Sequence, residues 1–159
     1  MLWEDGVKTG ILVAAGGCSL TIALLHGAII IAGGDWYRFF GAGEELATMA
    51  ENGSIYPAII TTGVALVFAV WAAYAFSAAG MIRRLPFCKF ALVLISAAYV
   101  LRGLGGIPLV LLIDNPYLSE LRANMLFMLV SSLISLSVGL LYCVGTWRVW
   151  QSLTAHQSS

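Results

Sequence analysis

Residues 11–31, 57–79, 90–112 and 124–144 form four stretches long and apolar enough to cross a bilayer, which takes about 20 mainly apolar residues per helix. That constraint decides most of the fold. Hydrocarbon offers no water to backbone N–H and C=O groups, so an isolated spanning run must bond to itself as a helix. No other segment of the 159 residues is long or polar enough to build a second, soluble domain. The prediction is all-α: a polytopic membrane protein, residues 1–159 forming one four-transmembrane-helix bundle. Charge agrees, at 10% against 60% hydrophobic, where a soluble domain carries roughly 25%. The first run is too long for a signal-peptide core and lacks a basic leader, so it is read as retained. A net charge of zero argues against nucleic acid as a partner.

Basic residues set the orientation. The connection 80–89 carries Arg83, Arg84 and Lys89 and no acid, Lys8 precedes the first run and Arg148 follows the fourth. Arg38 and Arg122 are the single cations of the other two loops. Both termini are therefore expected in the cytoplasm, with loop 33–56 outside. Trp36, Tyr37, Tyr56 and Tyr117 are read as outer interface anchors, and Trp71, Tyr74, Tyr142, Trp147 and Trp150 as inner ones. The polar tail 151–159 is expected to fray. A small residue recurs every fourth position in three runs: Ala15, Ser19, Ala23, Gly27; Thr61, Ala65, Ala69, Ala73, Ser77; and Ser131, Ser135, Gly139, Cys143. Such stripes let helices approach closely, within one bundle or at a homo-oligomer seam. The span-four serines are read as bonding their own preceding turn.

Cys18, Cys88 and Cys143 show no metal-ligand or redox spacing, so no metal and no cofactor is expected. Cys18 and Cys143 are read as small packing residues. His26 is the one histidine inside a span, and His156 lies in the tail.

Arg102 breaks the pattern. A guanidinium keeps its proton in a protein, and an intramembrane cation costs about 2.5–3.5 kcal/mol on insertion scales, so it marks a functional site by default. At 1.5 Å per residue His26 and Arg102 both fall in the outer half of the core, about 22 Å and about 18 Å from the inner ends of their spans. Tyr99 shares a face with Arg102; Gly105, Gly106 and Pro108 are expected to loosen span three beside the charge. No span supplies an acid, so the nearest anions are Asp35, Glu44, Glu45 and Glu51 in the first loop and Asp114 in the third. One reading pins a loop acid on Arg102; the other leaves Arg102 to a ligand. Asp35 is expected to cap a short helix. Leu46, Met49 and Ala50 suit an interfacial helix, and Gly41 and Gly43 a bend before it. The expected ligand-binding set is Arg102, His26, Asp35, Trp36, Tyr37, Arg38, Glu44, Tyr56 and Tyr99.

At Trp36-Tyr37-Arg38-Phe39-Phe40-Gly41-Ala42-Gly43-Glu44, Tyr56-Pro57, Ile82-Arg83-Arg84-Leu85-Pro86 and Tyr99-Val100-Leu101-Arg102-Gly103, the chain resembles small four-span proteins of bacterial inner membranes. The likeness covers most of the chain and brings no catalytic assignment. Small multidrug exporters, quinone-linked thiol oxidases and the membrane glutathione-transferase group are poor matches, the first two for want of an acid in span one and of paired cysteines.

The function expected is non-catalytic: binding of a lipid-like or amphiphilic ligand, or of a partner membrane protein, at the outer end of the bundle, with membrane lipids as standing partners. One alternative is an enzyme on lipid or quinone, with His26 as general base and Arg102 stabilising negative charge. The other is a small oligomeric transporter, disfavoured by the missing intramembrane carboxylates.

Overall fold

The computed structural model describes residues 2–112 and 124–155. They form six helices: α1 (Leu2–Ala32), α2 (Gly34–Phe39), α3 (Glu44–Glu51), α4 (Tyr56–Ala78), α5 (Cys88–Leu112) and α6 (Met125–Ala155). No strand occurs among the described residues. Four stretches are long and apolar enough to span a membrane: Thr9–Ala32, Tyr56–Ala78, Cys88–Leu109 and Met125–Trp150. The protein is thus an integral membrane four-helix bundle with two short helices on one end.

The bundle is two close pairs, α1 with α4 and α5 with α6, joined mainly where α1 meets α6. Small residues make the close approaches. Ala15, Ser19 and Ala23 of α1 and Thr61, Ala72 and Ala75 of α4 are buried. A Cβ added to Gly16 would come 3.0 Å from the Ala75 Cβ. In the second pair the backbones themselves meet: an added Cβ would come 2.8 Å from the Leu136 N at Gly103 and 3.0 Å from the Val100 N at Gly139. The four-residue stripes therefore serve packing inside the bundle, where lipid supplies no hydrophobic drive. The third stripe drifts out of its seam, and Cys143 is exposed, so Cys143 is not the packing residue expected.

The termini and the arginine-rich connection share one end, here the basic end. Gly145 of α6 abuts Leu12 of α1, and the Lys89 ammonium lies 3.7 Å from the Trp150 ring centroid. α6 continues in helix through Ala155. No glycine or proline stops it, and Tyr142, Thr146 and Val149 hold its inner turns in the bundle.

Among the described residues, which do not include Tyr117, aromatic placement departs from the interface reading at Tyr142 and Tyr37. Tyr142 is fully buried and Tyr37 is 2% exposed; neither is an anchor. Tyr142 is drawn into the bundle centre by hydroxyls. Its O–H donates to the Trp71 carbonyl at 3.1 Å, and Ser19 Oγ lies 2.9 Å from both the Tyr142 and the Tyr99 hydroxyls. A carbonyl only accepts and each hydroxyl has one proton, so the direction is determined: Tyr99 donates to Ser19, Ser19 to Tyr142, Tyr142 to Trp71. The two phenol rings stack at 5.7 Å. This relay ties three helices to a fourth, across the interior of the bundle.

Candidate functional site

The opposite end is capped by the 33–56 segment, and its geometry follows from glycine and charge. Gly33, Gly41, Gly43 and Gly53 all have φ between 72° and 94°, the left-handed region that glycine enters without Cβ strain. Gly41 and Gly43 turn the chain between α2 and α3, as the sequence suggested. The N-cap of α2 is Gly33, with Asp35 inside the first turn. Asp35 is therefore not the cap; its carboxylate is drawn to Arg38 instead. Tyr37 and Ala47 pack on Ile29 of α1, with Leu25, Phe40 and Leu46 around them. Trp36 and Phe39 project outward.

Arg38 clamps this cap. Its Nε and one terminal nitrogen grip Glu44 at 2.8 Å each. Its terminal nitrogens also grip Glu51, one of them at 3.0 Å, and one reaches Asp35 at 3.4 Å. Two forked guanidinium–carboxylate pairs give both strength and direction. Bonding to Arg38 holds the Glu44 and Glu51 carboxyls below their ordinary range, and the carboxylates hold the Arg38 guanidinium above its own. Three of the first-loop acids that the sequence offered to Arg102 are thus spent on Arg38.

Arg102 lies in the seam between α5 and α6. One terminal nitrogen donates to Ser132 Oγ at 3.3 Å and the other to Ser131 Oγ at 3.2 Å. Ser131 in turn donates to the Met128 carbonyl at 3.1 Å. The side chain folds one turn towards the capped end, over the bare Cα of Gly106, where an added Cβ would collide with the guanidinium and come 2.9 Å from Ser132 Oγ. Gly106 is therefore the seat of the cation, and helix α5 runs unbroken through Gly105, Gly106 and Pro108. No carboxylate among the described residues lies within 4.0 Å of Arg102; Asp114 falls outside those residues. The partners Ser131 and Ser132 are what the reading of the span-four serines missed. Their adjacency beside a seam glycine was the available signal.

The cap reaches this seam. Phe40 meets Phe127 of α6 edge-on at 6.5 Å, and Phe127 precedes Ser131 by one helical turn. His26 occupies a different seam. Its Nδ1–H donates to the Ile22 carbonyl at 2.8 Å, and its ring lies 5.4 Å from Phe68 of α4. Tyr99 points to Ser19 rather than to Arg102, and Tyr56 is exposed at the start of α4. The structure thus joins Asp35, Arg38 and Glu44 in one cluster, buries Tyr37 beneath it, and sets Arg102 in the adjoining α5–α6 seam. His26 and Tyr99 engage α4 and α1. The Tyr37 hydroxyl is buried with no hydrogen-bond partner among the described residues. No group of three His, Cys, Asp or Glu able to hold a metal occurs among the described residues. No protein-family model, curated protein or solved structure matches the chain.

Proposed function

We propose that this is a non-catalytic membrane protein that binds an amphiphilic ligand at the capped end, with Arg102 taking the ligand's anionic or carbonyl head. The observation that carries the reading is the state of Arg102: seated on Gly106, bonded to two neutral hydroxyls, exposed to the lipid side. A cation in hydrocarbon is costly, no carboxylate among the described residues meets this one, and a headgroup oxygen would complete its bonding. The buried Tyr37 hydroxyl beneath the cap supports the same reading, since an orphaned buried donor costs about 1–3 kcal/mol. The cap itself, held by Arg38 and touching α6 through Phe40, is suited to covering an apolar tail. We place the capped end outside a bacterial inner membrane and both termini in the cytoplasm, following the distribution of Arg83, Arg84 and Lys89.

The test is native mass spectrometry of the intact protein released from lipid. Bound amphiphile should be lost in Arg102→Ala and weakened in Arg102→Lys, which keeps charge but not the forked grip on Ser131 and Ser132. Unchanged bound species in both variants would sink the reading.

A further inference from the structure

The α4–α5 seam is held shut at the basic end and open above it. Ser77 at the end of α4 accepts a hydrogen bond from the Leu85 N–H at 2.8 Å and donates to the Arg83 carbonyl at 3.3 Å. Cys88 Sγ reaches the Tyr74 carbonyl at 3.7 Å. Ser77 is fully buried, so the backbone carrying Arg83 and Arg84 is fixed against the end of the seam. Further into the membrane the two helices part and leave a groove of about 300 Å³. Trp71 and Tyr74 of α4 face Ala91 and Ala98 of α5 across it, and Val70 and Leu94 form its rim. The rim is lipid-facing, with Val70 51% and Leu94 70% exposed. Two alanines opposite two aromatic rings leave a slot that no side chain of this chain fills.

Charge identifies the occupant. The connection 80–89 closing the groove contains Arg83, Arg84 and Lys89 and no acid, and both arginine side chains are exposed. An apolar slot running into a cationic rim at headgroup depth has the polarity of an anionic phospholipid, acyl chain within and phosphate at the rim.

We propose that the α4–α5 groove binds one anionic phospholipid of the basic-end leaflet, its phosphate on the Arg83–Arg84 connection and one acyl chain against Trp71. The site lies in a different seam from Arg102, which faces Ser131 and Ser132, and does not depend on it.

The full chain is reconstituted into phosphatidylcholine vesicles containing acyl-brominated phosphatidylglycerol or, separately, acyl-brominated phosphatidylcholine, and tryptophan quenching is measured. The Trp71 component, defined by its loss in Trp71→Phe, should be quenched at lower mole fraction by the anionic lipid. Two arginines at the surface predict a preference of roughly five- to thirty-fold. Arg83→Gln with Arg84→Gln should bring the preference close to unity while helicity and elution volume stay unchanged. Ala98→Phe, which fills the slot from a wall facing no packed core, should abolish Trp71 quenching by both lipids. Equal quenching by the two lipids in the native chain overturns the proposal, as does a preference that survives loss of both arginines. Relief of quenching by millimolar inorganic phosphate would also overturn it, by assigning the rim to a free anion.

Discussion

Removing the Ser19 hydroxyl should cost more than removing either phenol hydroxyl it touches. The direction of donation, Tyr99 to Ser19 to Tyr142 to the Trp71 carbonyl, makes the three groups unequal. Ser19→Ala deletes two interhelical bonds and leaves the Tyr99 O–H without an acceptor where no water reaches. Interhelical bonds in membranes average about 0.6 kcal/mol each, and stranding a buried donor adds about 1 kcal/mol at the low end of its range; together these give about 2 kcal/mol. Tyr142→Phe also removes two bonds, but the Ser19 proton can turn to a carbonyl of its own helix, so about 1 kcal/mol is expected. Tyr99→Phe removes one bond and strands no donor, for about 0.6 kcal/mol. Reversible unfolding in mixed micelles, followed by tryptophan emission and far-ultraviolet circular dichroism, would rank the variants. A Tyr99→Phe cost equal to or above that of Ser19→Ala would refute the assigned direction. Three costs within about 0.3 kcal/mol of one another, a fraction of one average interhelical bond, would show that the relay does not act as a directed chain.

Gly106→Ala should displace the Arg102 guanidinium from its seat and reduce amphiphile retention as Arg102→Ala does. Helix stability should fall little, because alanine is favoured over glycine in a helix by about 1 kcal/mol; retained ligand with a native melting profile would refute the seat. Gly139→Ala should destabilise by about 1–3 kcal/mol, the range for overpacking, since its Cβ would press on the Val100 backbone. Gly63→Ala, with nothing within 4 Å of its added Cβ, should be neutral or stabilising in the same unfolding assay. The cap should loosen in acid. Glu44 and Glu51 carry folded-state values below the ordinary carboxylate range because of Arg38. Their contribution is therefore full above the unfolded glutamate value of about 4.3 and fades as pH falls through the lowered values. Amide exchange across 33–56 should be slow and flat from about pH 5 upward, after correction for intrinsic rates, and should rise below about pH 4; Arg38→Gln should remove that dependence.

How much of this was legible in the sequence depended on the range of the interaction involved. The four spans were plain because hydrophobic length is a local property, and their observed bounds differ from the expected ones by a few residues except at α6. The bend at Gly41 and Gly43 was legible for the same reason: left-handed backbone has few takers besides glycine. Asp35 was misjudged as a cap because a favourable capping residue and a salt-bridge partner look alike until Arg38 is placed three residues on. Tyr142 looked like an interface anchor because its hydroxyl needs a partner, and water at the membrane edge is the usual one. The actual partners, Ser19 and the Trp71 carbonyl, lie 123 and 71 positions away, and no periodicity reports such a distance. Arg102 announced itself by cost alone, but the seam it faces depended on the α5–α6 pairing.

The relay also bears on how the chain is made. Ser19 and Trp71 belong to the first pair of spans to emerge, Tyr99 and Tyr142 to the second. Each hairpin can enter the bilayer and close on its own small residues, yet neither contains two consecutive members of the chain, because Tyr99 to Ser19, Ser19 to Tyr142 and Tyr142 to the Trp71 carbonyl each cross from one hairpin to the other. A misdocked bundle would part three hydroxyls, those of Ser19, Tyr99 and Tyr142, from one another in hydrocarbon, with no water to quiet them. The buried hydroxyls are therefore all satisfied by one another only when the late hairpin has met the early one in register.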